Sequence, residues 1–157
     1  VKTLFDTDRL TVRHFCSFDT AACESWLSDP EVMRWIEEPF DHNQIEEFLN
    51  TNAFLRQPRI YAIQEKESGN LAGHLIFHPW DENGYELGWI LKKDVWHRGY
   101  ASELTQAAVS FAAEKGIRKL IIECDRCQQA TVRLAEHSGF VLSGTDGKLL
   151  CYRREIG

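Results

Sequence analysis

No apolar run in this sequence approaches the length of a membrane span, and no signal peptide is visible at Val1-Lys2-Thr3-Leu4, so a cytoplasmic protein without a membrane partner is expected. Basic residues are in the minority, 18 Lys and Arg against 24 Asp and Glu, giving a formal net charge of −6. That balance argues against broad nucleic-acid binding, which needs a basic face to neutralise phosphates. It favours a cationic partner, such as an amine or the basic end of a peptide. Metal-binding patterns are missing as well. His14, His74, His78 and His97 are scattered, with no H-x-x-x-H or carboxylate cluster beside them. Cys124-x-x-Cys127 has no second pair to complete a zinc site, so no metal is expected. A redox dithiol would stand at a helix start, whereas Cys124 ends a strand pattern. The odd count of five cysteines points to reduced thiols. There is no internal repeat, low-complexity tract or linker.

What is present is a chain of 157 residues, 43% hydrophobic with five Trp, enough for a single domain over 1–157 with a sizeable core. Arg9 to Arg13 alternates as a strand with one buried face. Asp19 caps a helix to about Leu27, and Asp29-Pro30 opens another through Ile36. Trp26 and Trp35 on these pieces read as core or groove wall rather than a stacking box. Asp41 caps the next helix, with Ile45, Phe48, Leu49 and Leu55 on one face and Pro58 as its stop. Strands follow at Arg59–Glu65 and Leu71–Phe77, joined by a turn at Glu67–Asn70, and a second turn at Asp81–Gly84 leads to the strand Tyr85–Leu91. A long helix over Gly99–Lys115 ends at Gly116. Then come a buried strand at Lys119–Glu123, a helix at Gln128–His137, and strands at Phe140–Leu142 and Leu149–Arg154 around a turn at Gly144–Gly147. Seven strands alternating with helices in this way predict an α/β chain, a mixed sheet with helices on its faces.

One stretch organises the rest. Trp96-His97-Arg98-Gly99-Tyr100-Ala101-Ser102-Glu103 opens the long helix directly after the strand Tyr85–Leu91. Small residues at Gly99 and Ala101 let ligand oxygens approach the main chain, and the first helical turn offers N–H groups and partial positive charge, a seat for a pyrophosphate. The stretch is not Walker A, since no Gly-Lys-Ser/Thr follows, and it lacks the three glycines of the dinucleotide fingerprint.

Trp96-x-x-Gly99-x-Ala101 resembles the acetyl-coenzyme A loop of the GNAT N-acetyltransferase superfamily, Q/R-x-x-G-x-G/A, with Trp96 in place of Gln or Arg. The resemblance runs over nearly the whole chain and is nearest to the branch of ribosomal-protein N-terminal alanine acetyltransferases. Thr7 to Arg13 is similar to that branch's opening strand, Ser28 to Met33 to its second helical turn, and Glu86 to Leu91 to its central strand. Gln128-Gln129-Ala130-Thr131-Val132-Arg133 through Gly139-Phe140 is similar to its N-x-x-S helix and following Gly-Phe. The resemblance implies a GNAT fold whose central, mostly antiparallel sheet is splayed at its middle, with pantetheine in the opening. It further implies acetyl-CoA as acetyl donor, a primary amine as acceptor (a peptide N-terminus, a polyamine or another small amine), and a monomer or homodimer.

Acetyl transfer from a thioester needs a neutral amine, whereas α-amines and lysines, with pKa values of about 8 and about 10.4, are largely protonated at neutral pH. Something must take that proton. Glu86, a polar group on an apolar strand, is the candidate base; its other reading is a cross-strand partner for a neighbouring His or Lys. Main-chain N–H groups at Trp89 or Ile90 are the candidate oxyanion donors, with Gly88 permitting close approach and Leu91 completing the cofactor strand. Thr131 stands where the resembled branch has the Ser that serves the leaving thiolate, and Gln128 where it has a cofactor-binding Asn. The more usual GNAT tyrosine position is Ala135. His97, Arg98, Gly99, Tyr100, Ala101 and Ser102 are the phosphate-loop candidates, and Arg133 joins Arg98 as a cation for phosphate. A competing reading keeps the pyrophosphate seat but not the chemistry: a catalytically silent acyl-CoA-binding or sensor module.

Overall fold

The computed structural model describes residues 1–157. The strands are β1 (Thr3–Asp6), β2 (Leu10–Arg13), β3 (Ile60–Glu65), β4 (Leu71–Pro79), β5 (Gly84–Leu91), β6 (Lys119–Asp125), β7 (Val141–Asp146) and β8 (Leu149–Glu155). The helices are α1 (Glu24–Leu27), α2 (Pro30–Met33), α3 (His42–Asn52), α4 (Tyr100–Glu114) and α5 (Gln129–His137). One mixed eight-stranded sheet takes the order β1-β2-β3-β4-β5-β6-β8-β7. The chain divides into two compact units, the first of residues 1–76 and 89–98, the second of residues 77–88 and 99–157.

In the first unit β1, β2, β3 and the start of β4 run antiparallel, with Leu10 opposite Glu65 and Ile60 opposite Ile76. α3 begins where its sequence dictates. The Asp41 carboxylate accepts the Gln44 N–H at 2.8 Å, and Gln44 Oε1 accepts the Asp41 N–H at 2.9 Å. The helix turns Ile45 and Leu49 into a cluster with Phe15, Trp26, Leu27, Met33 and Ala62. Each fully buried aliphatic side chain there is worth roughly 2 kcal/mol. At Gly73 the two neighbouring backbones nearly touch: a Cβ would lie 2.0 Å from the carbonyl oxygen of Ile90, and φ is +154°. Only glycine permits that approach.

Several expectations are corrected in this unit. The helix from Asp19 to Leu27 is instead two 3₁₀ turns, Ser17–Asp19 and Ala21–Cys23, followed by the single turn α1. Asp19 does not cap it, because its carboxylate is held by Arg13 at 2.9 and 3.0 Å and by the Cys16 N–H at 2.8 Å. α2 stops at Met33 rather than Ile36, although Asp29 caps it as expected. α3 ends at Asn52, so Leu55 lies beyond it and is 40% exposed, and Pro58 does not terminate it. β1 is an additional strand, recruited by pairing with β2 rather than by any alternation of its own. Trp26 is fully buried, as the core reading requires, while Trp35 is 41% exposed.

In the second unit β6 is central, parallel to β5 on one side and antiparallel to β8 on the other, with β7 beyond β8 as an edge. α4 presents Leu104, Ala108 and Ala112 inward at four-residue spacing and ends before Gly116, whose φ of +74° is the left-handed C-terminal stop expected of it. Phe77 packs edge-on against Phe111 of α4 and in a tilted arrangement with Tyr85, whose neighbour across the ladder is Leu120. Tyr152, opposite Ile122, reaches Glu136 of α5. Both helices therefore cover the Leu120–Ile122 face, and Glu86, Ile121, Glu123 and Cys151 belong to the other. The last hairpin is longer than its sequence indicates: β7 starts at Val141 and, after a bulge at Ser143, continues to Asp146.

Candidate functional site

The loop into α4 is held in an unusual backbone shape. Trp96 is extended and donates its indole N–H to the Leu91 carbonyl at 2.9 Å. His97 follows with φ of 64°, the one non-glycine residue at positive φ, which costs on the order of 1 kcal/mol. Gly99 is left-handed as well, at φ 82° and ψ 11°, and no side chain caps the helix it opens. The first bond along the helix runs from the Glu103 N–H to the Gly99 carbonyl, so the amides of Ala101 and Ser102 precede any intrahelical partner. A left-handed residue entering a helical turn aims successive N–H groups into one concavity, suited to an anion. His97, Arg98 and Gly99 are exposed and Tyr100 is buried. Arg98 leans on Glu65 at 3.5 Å. Ser102 also lines a cleft of about 410 Å³ between α4 and α5 with Thr105, Gln106, Leu134, His137 and Arg154. A larger hollow of about 580 Å³ on the β7–β8 hairpin contains none of the predicted residues.

The β5–β6 ladder consists of Gly84 with Lys119, Tyr85 with Leu120 and Glu86 with Ile121, and ends there, although β5 continues to Leu91 and β6 to Asp125. From Ile122 onward β6 is laddered with β8. Trp89, Ile90 and Leu91 follow in β5 and belong to the first unit.

Glu86 closes that ladder, and the structure gives it a partner. Its Oε1 lies 2.8 Å from Nε2 of His78, with the two side chains 19% and 7% exposed. The cross-strand reading of Glu86 is thus realised, and by a residue that sequence reasoning considered only as a metal ligand. The signal was available. The turn closes with the Trp80 N–H on the Gly84 carbonyl, and counting back two residues along each arm sets His78 opposite Glu86. Glu123, on the same face of β6, has its pKa raised by burial and then by the charges of Glu86 and Asp146.

The α5 candidates are placed on its first turns. Gln128 precedes the helix, and its Oε1 accepts the Asp125 N–H at 2.8 Å, leaving its amide nitrogen as the group able to reach a ligand. Thr131 is half-buried and Arg133 exposed. Ala135, the position of the usual tyrosine, is fully buried. Cys124 is 2% exposed, and burial, aided by Asp125 and Glu123, pushes its thiol up to about 11, so it is held as an unreactive thiol. No group of three or more His, Cys, Asp or Glu is arranged to hold a metal ion, and no helix is long and apolar enough to cross a membrane.

The family model described as "Acetyltransferase (GNAT) domain" matches residues 9–141. An N-acetyltransferase of uncharacterised function from Bacillus subtilis (strain 168), YnaD, is 31% identical over 121 residues, 75% of this chain and 71% of that protein. Among solved structures, a GNAT-family acetyltransferase from Bacillus anthracis superposes with a TM-score of 0.86 at 24% identity, covering 96% of both chains. RimL, a ribosomal L7/L12 alpha-N-protein acetyltransferase solved with coenzyme A, gives 0.82 at 19% identity over 99% of this chain and 98% of that one. The chain belongs to the GNAT acetyltransferase family, whose members generally carry out acetyl-CoA-dependent N-acetylation.

Proposed function

We propose that this protein transfers the acetyl group of acetyl-CoA to a primary amine by direct attack, without a covalent enzyme intermediate, and that it stands nearest the ribosomal-protein N-acetyltransferase branch. The observation that carries this reading is the uncapped start of α4 behind left-handed His97 and Gly99. There the amides of Tyr100, Ala101 and Ser102 would hold the pyrophosphate, with Arg98 and Arg133 as supplementary cations. Acetyl-CoA supplies the acyl group already activated as a thioester.

The chain's own residues do the rest. Main-chain groups of β5 from Trp89 to Leu91 would orient the acyl carbonyl and meet its developing negative charge. Glu86, in the last β5–β6 pair, would take the proton of the attacking amine. Thr131 would donate a hydrogen bond to the departing sulfur, and the Gln128 amide nitrogen would steady the coenzyme alongside it. A net negative chain suits a cationic acceptor, either a protein N-terminus or a small amine.

The test is thiol release from acetyl-CoA across a panel of N-terminal peptides, polyamines and amino sugars, alongside calorimetry with coenzyme A. Binding with amine-dependent release supports the reading. Binding with no release on any amine supports a silent acyl-CoA module instead, and absence of binding rejects both.

A further inference from the structure

The net charge of the chain is concentrated in one stretch of the first unit. Eight of the 24 acidic residues fall between Glu24 and Glu47, where Arg34 is the single Lys or Arg; outside it sixteen acidic residues meet seventeen basic ones. Local structure accounts for most of the eight. Asp29 and Asp41 cap α2 and α3. Glu31 pairs with Lys93 at 2.7 Å, and His42 stands 3.7 Å from Glu24 and 3.0 Å from Glu46. Glu37 and Glu38 are exposed, belong to no helix and have no ion pair.

Those two glutamates stand on a loop that is tied at both ends. The N–H groups of Ile36 and Glu37 donate to the Met33 carbonyl at 2.9 and 3.2 Å. Past the loop, the Phe40 N–H donates to the Leu27 carbonyl at 2.8 Å, and the Ser28 hydroxyl donates to the Phe40 carbonyl at 2.6 Å. Between these ties Trp35 and Ile36 are left 41% and 39% exposed, next in sequence to the two free carboxylates. Adjacent large apolar side chains rimmed by charge have the composition of an interaction surface. The Trp35 ring also takes a cation on its face, because the Arg34 guanidinium lies 4.7 Å from its centroid.

From this we infer that the loop Trp35–Glu38 docks a basic segment of another polypeptide, one that carries an apolar side chain among its lysines and arginines. Glu37 and Glu38 meet its cations, Ile36 and Trp35 its apolar group, and the indole face a guanidinium. Nucleic acid and an anionic bilayer are repelled by the charge of the whole stretch. A polyamine supplies cations but no side chain to cover Trp35 and Ile36. The inference goes beyond the transferase reading and does not depend on it.

The test is a titration of the full chain, nitrogen-15 labelled, with four probes. They are a short peptide of arginine, lysine and leucine, an equally charged one of lysine and serine, spermine, and a peptide of glutamate and leucine. The first should bind, shift the indole N–H resonance of Trp35, and weaken several-fold between about 50 and about 200 mM salt. The lysine–serine peptide and spermine should bind at least about tenfold more weakly, for want of apolar burial, and the acidic peptide should not bind. Glu37→Gln with Glu38→Gln should weaken the first peptide about tenfold, as should Trp35→Ala. Glu67→Gln with Glu82→Gln, which removes the same charge from exposed turns outside the stretch, should leave it within about twofold. Absence of binding, binding that leaves the Trp35 resonance unmoved, equal affinity for spermine or the lysine–serine peptide, or equal losses in the two double variants overturns the inference. Thiol release plays no part in these measurements, so a failure of the transferase reading is seen separately.

Discussion

Two histidines of β4, His74 in the first unit and His78 in the second, are both buried, at 1% and 6% exposure, and they serve different ends. His74 Nδ1 accepts the indole N–H of Trp26 at 2.9 Å inside the apolar cluster, and burial lowers its pKa to about 3. It is a neutral ring with its proton fixed on Nε2. His78 instead sits between a carboxylate and a carbonyl, with Nε2 2.8 Å from Glu86 Oε1 and Nδ1 2.9 Å from the Pro79 oxygen. Burial alone does not make a histidine chemical or structural; the partner on the far nitrogen does. The first unit repeats the lesson with Arg13 and Asp19. Burial would raise the Asp19 carboxyl, but the Arg13 bonds and the Cys16 amide outweigh it and hold the pKa below the usual range, so its charge is fixed too.

By this contrast, changing Glu86 should alter rate, and changing the fixed groups of the first unit should alter stability while leaving rate alone. The largest effect is expected from Glu86→Gln, a loss of about 10³ in kcat, roughly 4 kcal/mol, with coenzyme A affinity and melting temperature held. A rate within a few-fold of wild type would end the comparison. Next is Asp19→Asn, which strands the Arg13 guanidinium and should cost about 3 kcal/mol in urea unfolding while kcat is retained.

Third is the acid response of His74. Its folded pKa of about 3 lies below the ordinary 6.5, so the unfolded chain binds the extra proton between those values. Stability should be complete above about pH 6.5 and decline as pH falls toward 3, by at most about 1.4 kcal/mol per unit, and His74→Gln should flatten the slope seen in urea titrations at successive pH values. The smallest effect is that of Glu123. A raised carboxyl pKa gives stability that is present at low pH and lost as the group ionises, so Glu123→Gln should melt slightly above wild type at pH 7, the difference vanishing at acid pH.

The legible parts of this fold were those encoded by local chemistry. Asp41 with Gln44, Asp29 with Pro30, and the glycines at 99 and 116 each mark a helix end through atoms a few residues apart, and the structure puts ends there. What could not be read depends on distant partners. Asp19 looks like a cap until Arg13 claims it, and Thr3–Asp6 is a strand only because β2 lies beside it. At the site, the loop into α4 and the exception at Glu86 were visible as sequence, whereas the imidazole opposite Glu86 needed the hairpin register. The role proposed for the main chain at Trp89 to Leu91 would leave almost no trace in side chains, and only the family resemblance pointed there.

The bulge in the last hairpin has a consequence for the molecule outside any reaction. β7 is exposed along its whole length and carries Val141 and Leu142 at 69% and 50% exposure, on the rim of the sheet. A straight rim of that kind invites a stranger's strand to add on, the first step toward fibrils. Skipping Ser143 between Leu142 and Gly144 breaks the repeat of donors and acceptors after two residues and coils the rim, so the sequence guards itself against self-association at its most vulnerable border.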